Sequence, residues 1–306
     1  MELLSNHLQK GQVFRLPPIL AELFSKIQVN SRVQRFSKRF ELMTFLKQAN
    51  IRKEKGFSLA NLIQFLITLV FTHKNFYRFM NGKDKDSKTF GKDVIYTFLN
   101  NPKADWRKFQ LLLSSKIING FLTPLTSAKR CRVLIFDDSF YDRNRSKKVE
   151  LLARVFDHTT HKYVRGFRKL AVGWSDGTSF VPMAFALLSS AIAKNRLYEQ
   201  GPEIPSDCPG VTRRKEAVRP ATVVLLELLD QVLNYTQAFQ FILFDSWFSW
   251  PKVIKGIRQR DRHVICMLKD MPKLFYGYKG KLYRLSDLYA QVTKQEDDTV
   301  LRKKRF

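Results

Sequence analysis

Two stretches of the chain decide its fold: VLIFDDS at residues 133–139 and FILFDS at residues 241–246. Each is a short run of bulky or β-branched residues that ends in an acidic residue followed by serine. Such a run predicts a buried strand that carries a carboxylate to the rim of a sheet. Two rims of this kind can share a divalent cation, because carboxylates are hard oxygen ligands that suit Mg²⁺ or Mn²⁺.

The first stretch holds two adjacent acids, and only one of them can share a site with Asp245. Side chains alternate across a strand, so Asp137 and Asp138 point to opposite faces of the sheet. The choice between them stays open on these grounds alone.

Composition predicts a globular protein that binds a polyanion. Of the 306 residues, 44% are hydrophobic, which favours a packed core over a disordered chain. The 54 Lys and Arg exceed the 27 Asp and Glu by 27, and the sequence pI is about 10.1. An excess of this size repels itself unless a polyanion accepts it, so nucleic acid is the leading partner.

Other features exclude further classes of protein. Cys131, Cys208 and Cys266 are odd in number and lack a CxxC spacing, so we expect reduced thiols in a cytoplasmic protein. The most hydrophobic stretch, residues 59–71, falls short of the ~20 residues that a membrane span requires. Apolar spacing within it predicts a core helix instead.

The order of elements predicts an α/β protein with a mixed sheet flanked by helices, preceded by an all-helical N-terminal domain. We expect helices over 59–71, 94–99 and 106–118 in a DNA-binding region, residues 1–128. Strands are predicted over 133–138, 162–174, 178–188, 241–245 and 263–268, and helices over 221–233 and from 249 onward. The Asp176-Gly177 pair predicts a tight hairpin. Three prolines predict that residues 194–220 form a loop.

This order, with an aspartate closing the first strand and another closing the fourth, resembles the RNase H-like core of DDE transposases. Several stretches resemble bacterial insertion-sequence transposases of family 4 in particular. They are FDDSF at 136–140, VELLARV at 149–155, GFR at 166–168, GWSDGTSF at 173–180 and FDSWF at 244–248.

The resemblance implies a DNA-transposing enzyme. Such an enzyme binds the terminal inverted repeats of double-stranded DNA, cleaves and transfers strands with two Mg²⁺ or Mn²⁺ ions, and acts as a homodimer. Asp138, which precedes a small hydroxyl residue, maps to the first metal ligand, and Asp245 maps to the second. Asp137 remains a rival for the first role, since Ile-Phe precedes it as Leu-Phe precedes Asp245.

The third carboxylate of the family is not evident in this sequence. The resemblance places it on a late helix, in a signature of Tyr, Arg, Glu and Lys that follows a β-rich insertion. We therefore expect residues 129–272 to form an incomplete catalytic core, and residues 273–306 to begin the insertion in a truncated chain. Glu296 is the only glutamate after Asp245, and its polar surroundings predict an exposed loop. Two carboxylates position a metal pair poorly, so we expect impaired catalysis.

Several residues are candidates for contact with DNA. Arg165, Arg168 and Lys169 flank a predicted strand and suit phosphates, although solvated edge charges explain them equally. Trp247 suits stacking on an unpaired base, or else anchors the core. Lys279 and Lys281 alternate with tyrosines, a pattern that fits either nucleic-acid binding or a plain hairpin.

Two other functions compete with transposition at this stage. One is a non-catalytic DNA-binding remnant of a transposase, which fits a basic chain without the final acid. The other is a general metal nuclease that takes its third ligand from Asp142 or Asp157.

Overall fold

The computed structural model describes residues 29–71, 75–81, 90–157, 160–199 and 201–293. The chain divides into two compact units. The first unit consists of Met1–Leu125, Asp142–Phe167 and Ser189–Val218, and the second of Thr126–Tyr141, Arg168–Leu188 and Arg219–Phe306. Glu296 lies outside the described residues.

The first unit is largely helical, as predicted for the N-terminal region. Its helices are α1 (Val29–Arg39), α2 (Leu42–Gln48), α3 (Leu59–Phe71), α4 (Phe76–Met80), α5 (Lys92–Leu99), α6 (Trp106–Ile117), the short α7 (Thr123–Leu125) and α8 (Pro209–Ala217). A π-helical turn, Ile118–Leu122, joins α6 to α7. Within the described ranges, no helix combines the length and the apolar character that crossing a bilayer requires.

The core of this unit forms around an aromatic cluster on α3. Phe65 is 1% exposed, and its ring centroid lies 6.0 Å from that of Phe76, 5.0 Å from Phe79 and 5.0 Å from Phe90. Edge-on and tilted ring pairs at these distances add to the stabilisation that comes from burying apolar area. The prediction that residues 59–71 form a core helix is confirmed.

A buried ion pair connects α6 to α8 within the first unit. Arg107 donates two hydrogen bonds to Glu216, from Nη1 to Oε2 at 2.6 Å and from Nη2 to Oε1 at 2.7 Å. Only 7% of the Arg107 side chain and 6% of the Glu216 side chain are exposed. Arg213 donates a further bond to Glu216 Oε2 at 2.9 Å. This carboxylate is therefore held by two guanidinium groups.

Nine strands lie in the described residues. They are β1 (Val133–Asp142), β2 (Leu152–Asp157), β3 (Lys162–Ser175), β4 (Phe180–Leu188), β5 (Arg196–Tyr198), β6 (Phe241–Phe244), β7 (His263–Cys266), β8 (Tyr276–Tyr278) and β9 (Lys281–Tyr283). In the first unit, β2 pairs antiparallel with Lys162–Gly166 at the start of β3, and also with β5.

The second unit contains a mixed sheet in the order β4-β3-β1-β6-β7. The pairs β1–β6 and β6–β7 are parallel, whereas β3 and β4 form an antiparallel hairpin. The predicted hairpin at Asp176-Gly177 is confirmed. Helices α9 (Ala221–Leu233) and α10 (Pro251–Arg258) flank the sheet, and α11 (Leu285–Thr293) follows the β8–β9 hairpin. This is the mixed α/β fold that the sequence predicted.

The prediction of a loop over residues 194–220 is wrong, because this stretch contains β5 and α8. The prolines there were taken to exclude regular structure, but Pro209 is the first residue of α8. A proline is accommodated at that position, since its missing N–H would have no partner inside the helix. Strand β2 was also not predicted, because Arg154 and Asp157 obscure its short apolar run.

Asp176 holds the turn between β3 and β4. Its Oδ1 accepts hydrogen bonds from the backbone N–H groups of Ser179 at 2.7 Å and Thr178 at 3.0 Å, and its Oδ2 accepts one from the Thr126 hydroxyl at 2.8 Å. The pKa of Asp176 is lowered, and the main cause is the hydrogen bond from Ser179. Burial raises this pKa, but the hydrogen bonds from Thr126 and Thr178 and the charge of Arg130 lower it further. The charged form of this carboxyl is therefore stabilised by folding.

This lowered pKa predicts a specific dependence of stability on pH. The Asp176 contribution is fully present above the unfolded pKa of ~3.9, and it is lost as the pH falls through the lower folded pKa. We expect Asp176→Asn to reduce the free energy of unfolding by about 1–2 kcal/mol at neutral pH. Urea titrations should show that this difference in the free energy of unfolding between variant and wild type becomes smaller below about pH 4.

The exposed Asp270 of the same unit provides the control for this prediction. Asp270→Asn removes the same charge without removing a buried acceptor, so its stability should follow the wild type at every pH. The free energy of unfolding of Asp176→Asn could instead differ from that of the wild type by a constant amount, even at pH values below both pKa values. That result would show that the charge of Asp176 does not contribute to stability.

Candidate active site

The two acids belong to neighbouring strands of the second unit. Asp245 directly follows its strand, as predicted, whereas the prediction that Asp138 ends a strand is wrong, because β1 continues to Asp142. Strands β1 and β6 are parallel neighbours, with Val133 opposite Phe241 and Ile135 opposite Leu243. Asp245 directly follows β6 and begins a short 3₁₀ helix, Ser246–Phe248, where its Oδ1 accepts a hydrogen bond from the Trp247 N–H at 3.0 Å. Continued past Ile135 and Leu243, this register would align Asp245 with Asp137, but β6 ends at Phe244 and the chain turns into the 3₁₀ helix at Asp245.

Arg168 on β3 interacts electrostatically with both acids. Its guanidinium forms an ion pair with Asp138, and the two side chains are 30% and 10% exposed. Burial lowers the pKa of the Arg168 guanidinium, and the negative charge of Asp245 opposes this shift. A guanidinium retains its charge in proteins, so a partly buried cation pairs with Asp138 and also experiences the charge of Asp245.

Asp137 lies on the other face of β1. The buried Leu134 and Phe136 share their face with Asp138, as strand alternation requires, whereas Asp137 is exposed. Asp137 forms none of the ion pairs found among the described residues. Of the two rivals for the first position, the structure therefore brings Asp138 to Arg168 and leaves Asp137 away from it.

The donor set at this edge fits a hard divalent cation. Mg²⁺ retains several water ligands and binds through one or two carboxylates together with substrate phosphates. Asp138 and Asp245 are two such carboxylates, and Asp138 already forms an ion pair with a guanidinium. Within the described part of the chain, no group of three or more His, Cys, Asp and Glu side chains is arranged to hold a metal. Asp142 and Asp157, the alternative third ligands, belong to the first unit.

The candidate DNA contacts fall in different places. Arg168 is part of the acidic site, whereas Lys169 is its neighbour on β3 and points to the opposite face. Arg165 belongs to the first unit, where it is exposed. Trp247 is 40% exposed, and the Arg168 guanidinium carbon lies 5.2 Å from its ring centroid. The core anchor at this position is Phe248, which is fully buried.

Lys279 and Lys281 belong to the β8–β9 hairpin, as one of the two interpretations of that pattern predicted. The turn consists of Lys279 and Gly280, whose φ angles are 48° and 79°. Positive φ at both central residues is typical of the tight turns that favour hairpins. Both lysines are exposed, and the Lys279 ammonium lies 5.4 Å from the Tyr278 ring centroid.

Sequence reasoning missed two residues near this site, Trp250 and Lys269. The Lys269 ammonium lies 4.9 Å from the Trp247 ring centroid and 4.5 Å from that of Trp250. Trp247 and Trp250 are three residues apart in one segment, whereas Lys269 comes from the segment after β7, and no local pattern relates it to the tryptophans.

The strand order β4-β3-β1-β6-β7, with one acid on β1 and another directly after β6, is that of an RNase H-like fold. The sequence profile of the family described as DDE superfamily endonuclease matches residues 82–280. This range covers about two-thirds of the chain, and the chain therefore belongs to that family. No curated protein sequence matches it.

One solved structure with a detectable likeness is the Drosophila P element transposase strand transfer complex. The match has a TM-score of 0.33 and 9% sequence identity, and it covers 88% of this chain and 57% of the other. The chain thus spans little more than half the length of that transposase.

Proposed function

We propose that this protein is a DDE transposase that cleaves and transfers DNA strands, with Asp138 and Asp245 as ligands of its divalent metal. The observation that carries the proposal is that Arg168 forms an ion pair with Asp138 on β1 and also experiences the negative charge of Asp245, which follows the neighbouring strand β6. Membership of the DDE superfamily endonucleases supports it, as does the net charge of +27. We further propose the bacterial insertion-sequence family 4 as its group, with terminal inverted repeats as its DNA and a homodimer as its active form.

Each residue of the site has a defined task in this proposal. When bound, Mg²⁺ or Mn²⁺ lowers the pKa of a water ligand and stabilises the attacking and leaving oxygens of the phosphodiester. Asp138 and Asp245 hold the ion and fix its position at the sheet edge. Arg168 orients Asp138 by its ion pair and presents a charged guanidinium to a DNA phosphate. Phe248, three residues after the acid, is fully buried and anchors the segment that carries Asp245.

A second candidate function is DNA binding without catalysis. Within the described residues, no group of three or more His, Cys, Asp and Glu side chains is arranged to hold a metal, and the family would use a third carboxylate to complete the metal pair. A protein with these properties would occupy DNA without cutting it.

Nicking of supercoiled plasmid DNA separates the two candidates. The purified protein is incubated with plasmid and Mn²⁺, and nicked circles are quantified on a gel. Nicking that disappears with EDTA supports the transposase, provided that the Asp245→Asn protein, purified in the same way, does not nick. Binding to the same plasmid without any nicking favours the non-catalytic candidate.

A further inference from the structure

Lys269 holds a charged side chain in a fixed position between two tryptophans. Its ammonium lies 4.9 Å from the Trp247 ring centroid and 4.5 Å from that of Trp250. Each tryptophan is 40% exposed, and Lys269 is half-buried. Two cation–π contacts restrict a side chain that otherwise samples many rotamers. The ammonium is thus positioned before any ligand arrives.

The backbone of Lys269 is held as well. The Tyr276 hydroxyl, at the start of the β8–β9 hairpin, donates a hydrogen bond to the Lys269 carbonyl at 2.8 Å. Strand β7 ends at Cys266, opposite Phe244 of β6. Lys269 and Asp245 therefore follow the ends of two paired parallel strands, and Trp247 connects the two positions.

The described neighbours of the Lys269 ammonium are aromatic rings rather than acids. None of the ion pairs among the described residues involves Lys269, and its ring partners carry no formal charge. Arg168 differs in this respect, because it pairs with Asp138. Asp270, the next residue along the chain, is exposed and forms no ion pair with Lys269. A preorganised ammonium with its full charge available is suited to an anionic ligand.

We propose that Lys269 binds a backbone phosphate of the DNA strand beside the bond that the Asp138 and Asp245 site acts on. Trp247 and Trp250 hold the ammonium in place, and the ammonium in turn fixes the position of the DNA strand. The inference rests on the proposed function, because it takes DNA as the ligand. A phosphate contact of this kind fixes the register of the strand without reading its sequence.

The salt dependence of DNA binding tests this role. Fluorescence anisotropy measures the affinity for a short labelled duplex of arbitrary sequence over a series of salt concentrations. Each phosphate contact contributes about 0.9 to the slope of log affinity against log salt, which amounts to about eightfold in affinity between 1 M and 0.1 M salt. We expect Lys269→Gln to lose that increment and Lys269→Arg to retain it.

Lys255 on α10, an exposed lysine of the same unit, provides the matched control. Lys255→Gln removes the same charge and should change the slope by much less. Equal slopes for Lys269→Gln and the wild type would overturn the proposal, and so would an equal loss in Lys255→Gln. Urea unfolding checks that both variants still fold cooperatively after the cation–π contacts are changed, and a destabilised Lys269→Arg that also loses the increment would indicate a purely structural role.

The outcome is distinguishable from a failure of the proposed function. Plasmid nicking by the wild type depends on Asp138 and Asp245, whereas the salt slope is measured without metal. A protein that nicks DNA but shows no slope change in Lys269→Gln contradicts only the role of Lys269. A protein that shows the slope change but never nicks contradicts only the catalytic proposal.

Discussion

Asp245→Asn is expected to abolish Mn²⁺-dependent nicking of plasmid DNA, with a loss of about a hundredfold or more. A metal ion contributes several kcal/mol to stabilising the charge that develops during phosphodiester cleavage, and a hundredfold in rate corresponds to about 2.7 kcal/mol. Asparagine retains the shape of the side chain and one oxygen acceptor, so the N-cap of the 3₁₀ helix should survive. The rate of appearance of nicked circles measures the effect.

Asp138→Asn should show a loss of similar size, because both acids hold the same ion in this account. Asp137→Asn is the matched control, since Asp137 is the adjacent residue but points to the opposite face of β1 and is exposed. Full activity in Asp137→Asn with loss in the other two variants supports the assignment. The reverse pattern, loss in Asp137→Asn and activity in Asp138→Asn, would show that the first ligand was assigned to the wrong residue.

Glu216→Ala is expected to cause the largest loss of stability in the first unit, about 3–5 kcal/mol in the free energy of unfolding. The substitution leaves the buried guanidinium of Arg107 without the carboxylate that accepts two of its hydrogen bonds. An unpaired buried charge is costly, because it has lost its water without gaining a partner. Urea unfolding followed by circular dichroism measures the change.

Two comparisons show whether the cost comes from the orphaned charge. The double variant Arg107→Met/Glu216→Leu removes both charges and should recover most of the loss, since apolar pairs of similar volume often replace buried ion pairs without penalty. Lys116→Gln breaks an exposed pair with Glu41 in the same unit, and it should cost less than about 1 kcal/mol. A double variant as unstable as Glu216→Ala would instead indicate that the ion pair itself stabilises the unit.

Local patterns predicted the sheet of the second unit well. Short apolar runs marked β1, β6 and β7, and Asp176-Gly177 marked the β3–β4 hairpin, since each of these signals depends on neighbouring residues alone. Alternation along β1 also limited the site to one of two adjacent acids. Our proposal of Asp138 over Asp137 depends on Arg168, which is 30 residues away from Asp138 along the chain.

The elements that were not predicted depend on contacts from outside their own segment. Helix α8 begins at a proline, and its buried Glu216 is acceptable only because Arg107 on α6 pairs with it. Strand β2 is short and charged, and it forms because β3 and β5 pair with it. Lys269 shows no local sign of a role, because its environment is built by Trp247, Trp250 and Tyr276.

Mn²⁺ binding is the most direct test that Asp138 and Asp245 share one metal site. Electron paramagnetic resonance measures free Mn²⁺ in the presence of a short duplex for the wild type and for Asp138→Asn, Asp245→Asn and Asp137→Asn. The account predicts that the first two variants each weaken binding about tenfold or more, as loss of a charged oxygen ligand should, and that Asp137→Asn binds like the wild type. Wild-type affinity in both Asp138→Asn and Asp245→Asn would contradict it.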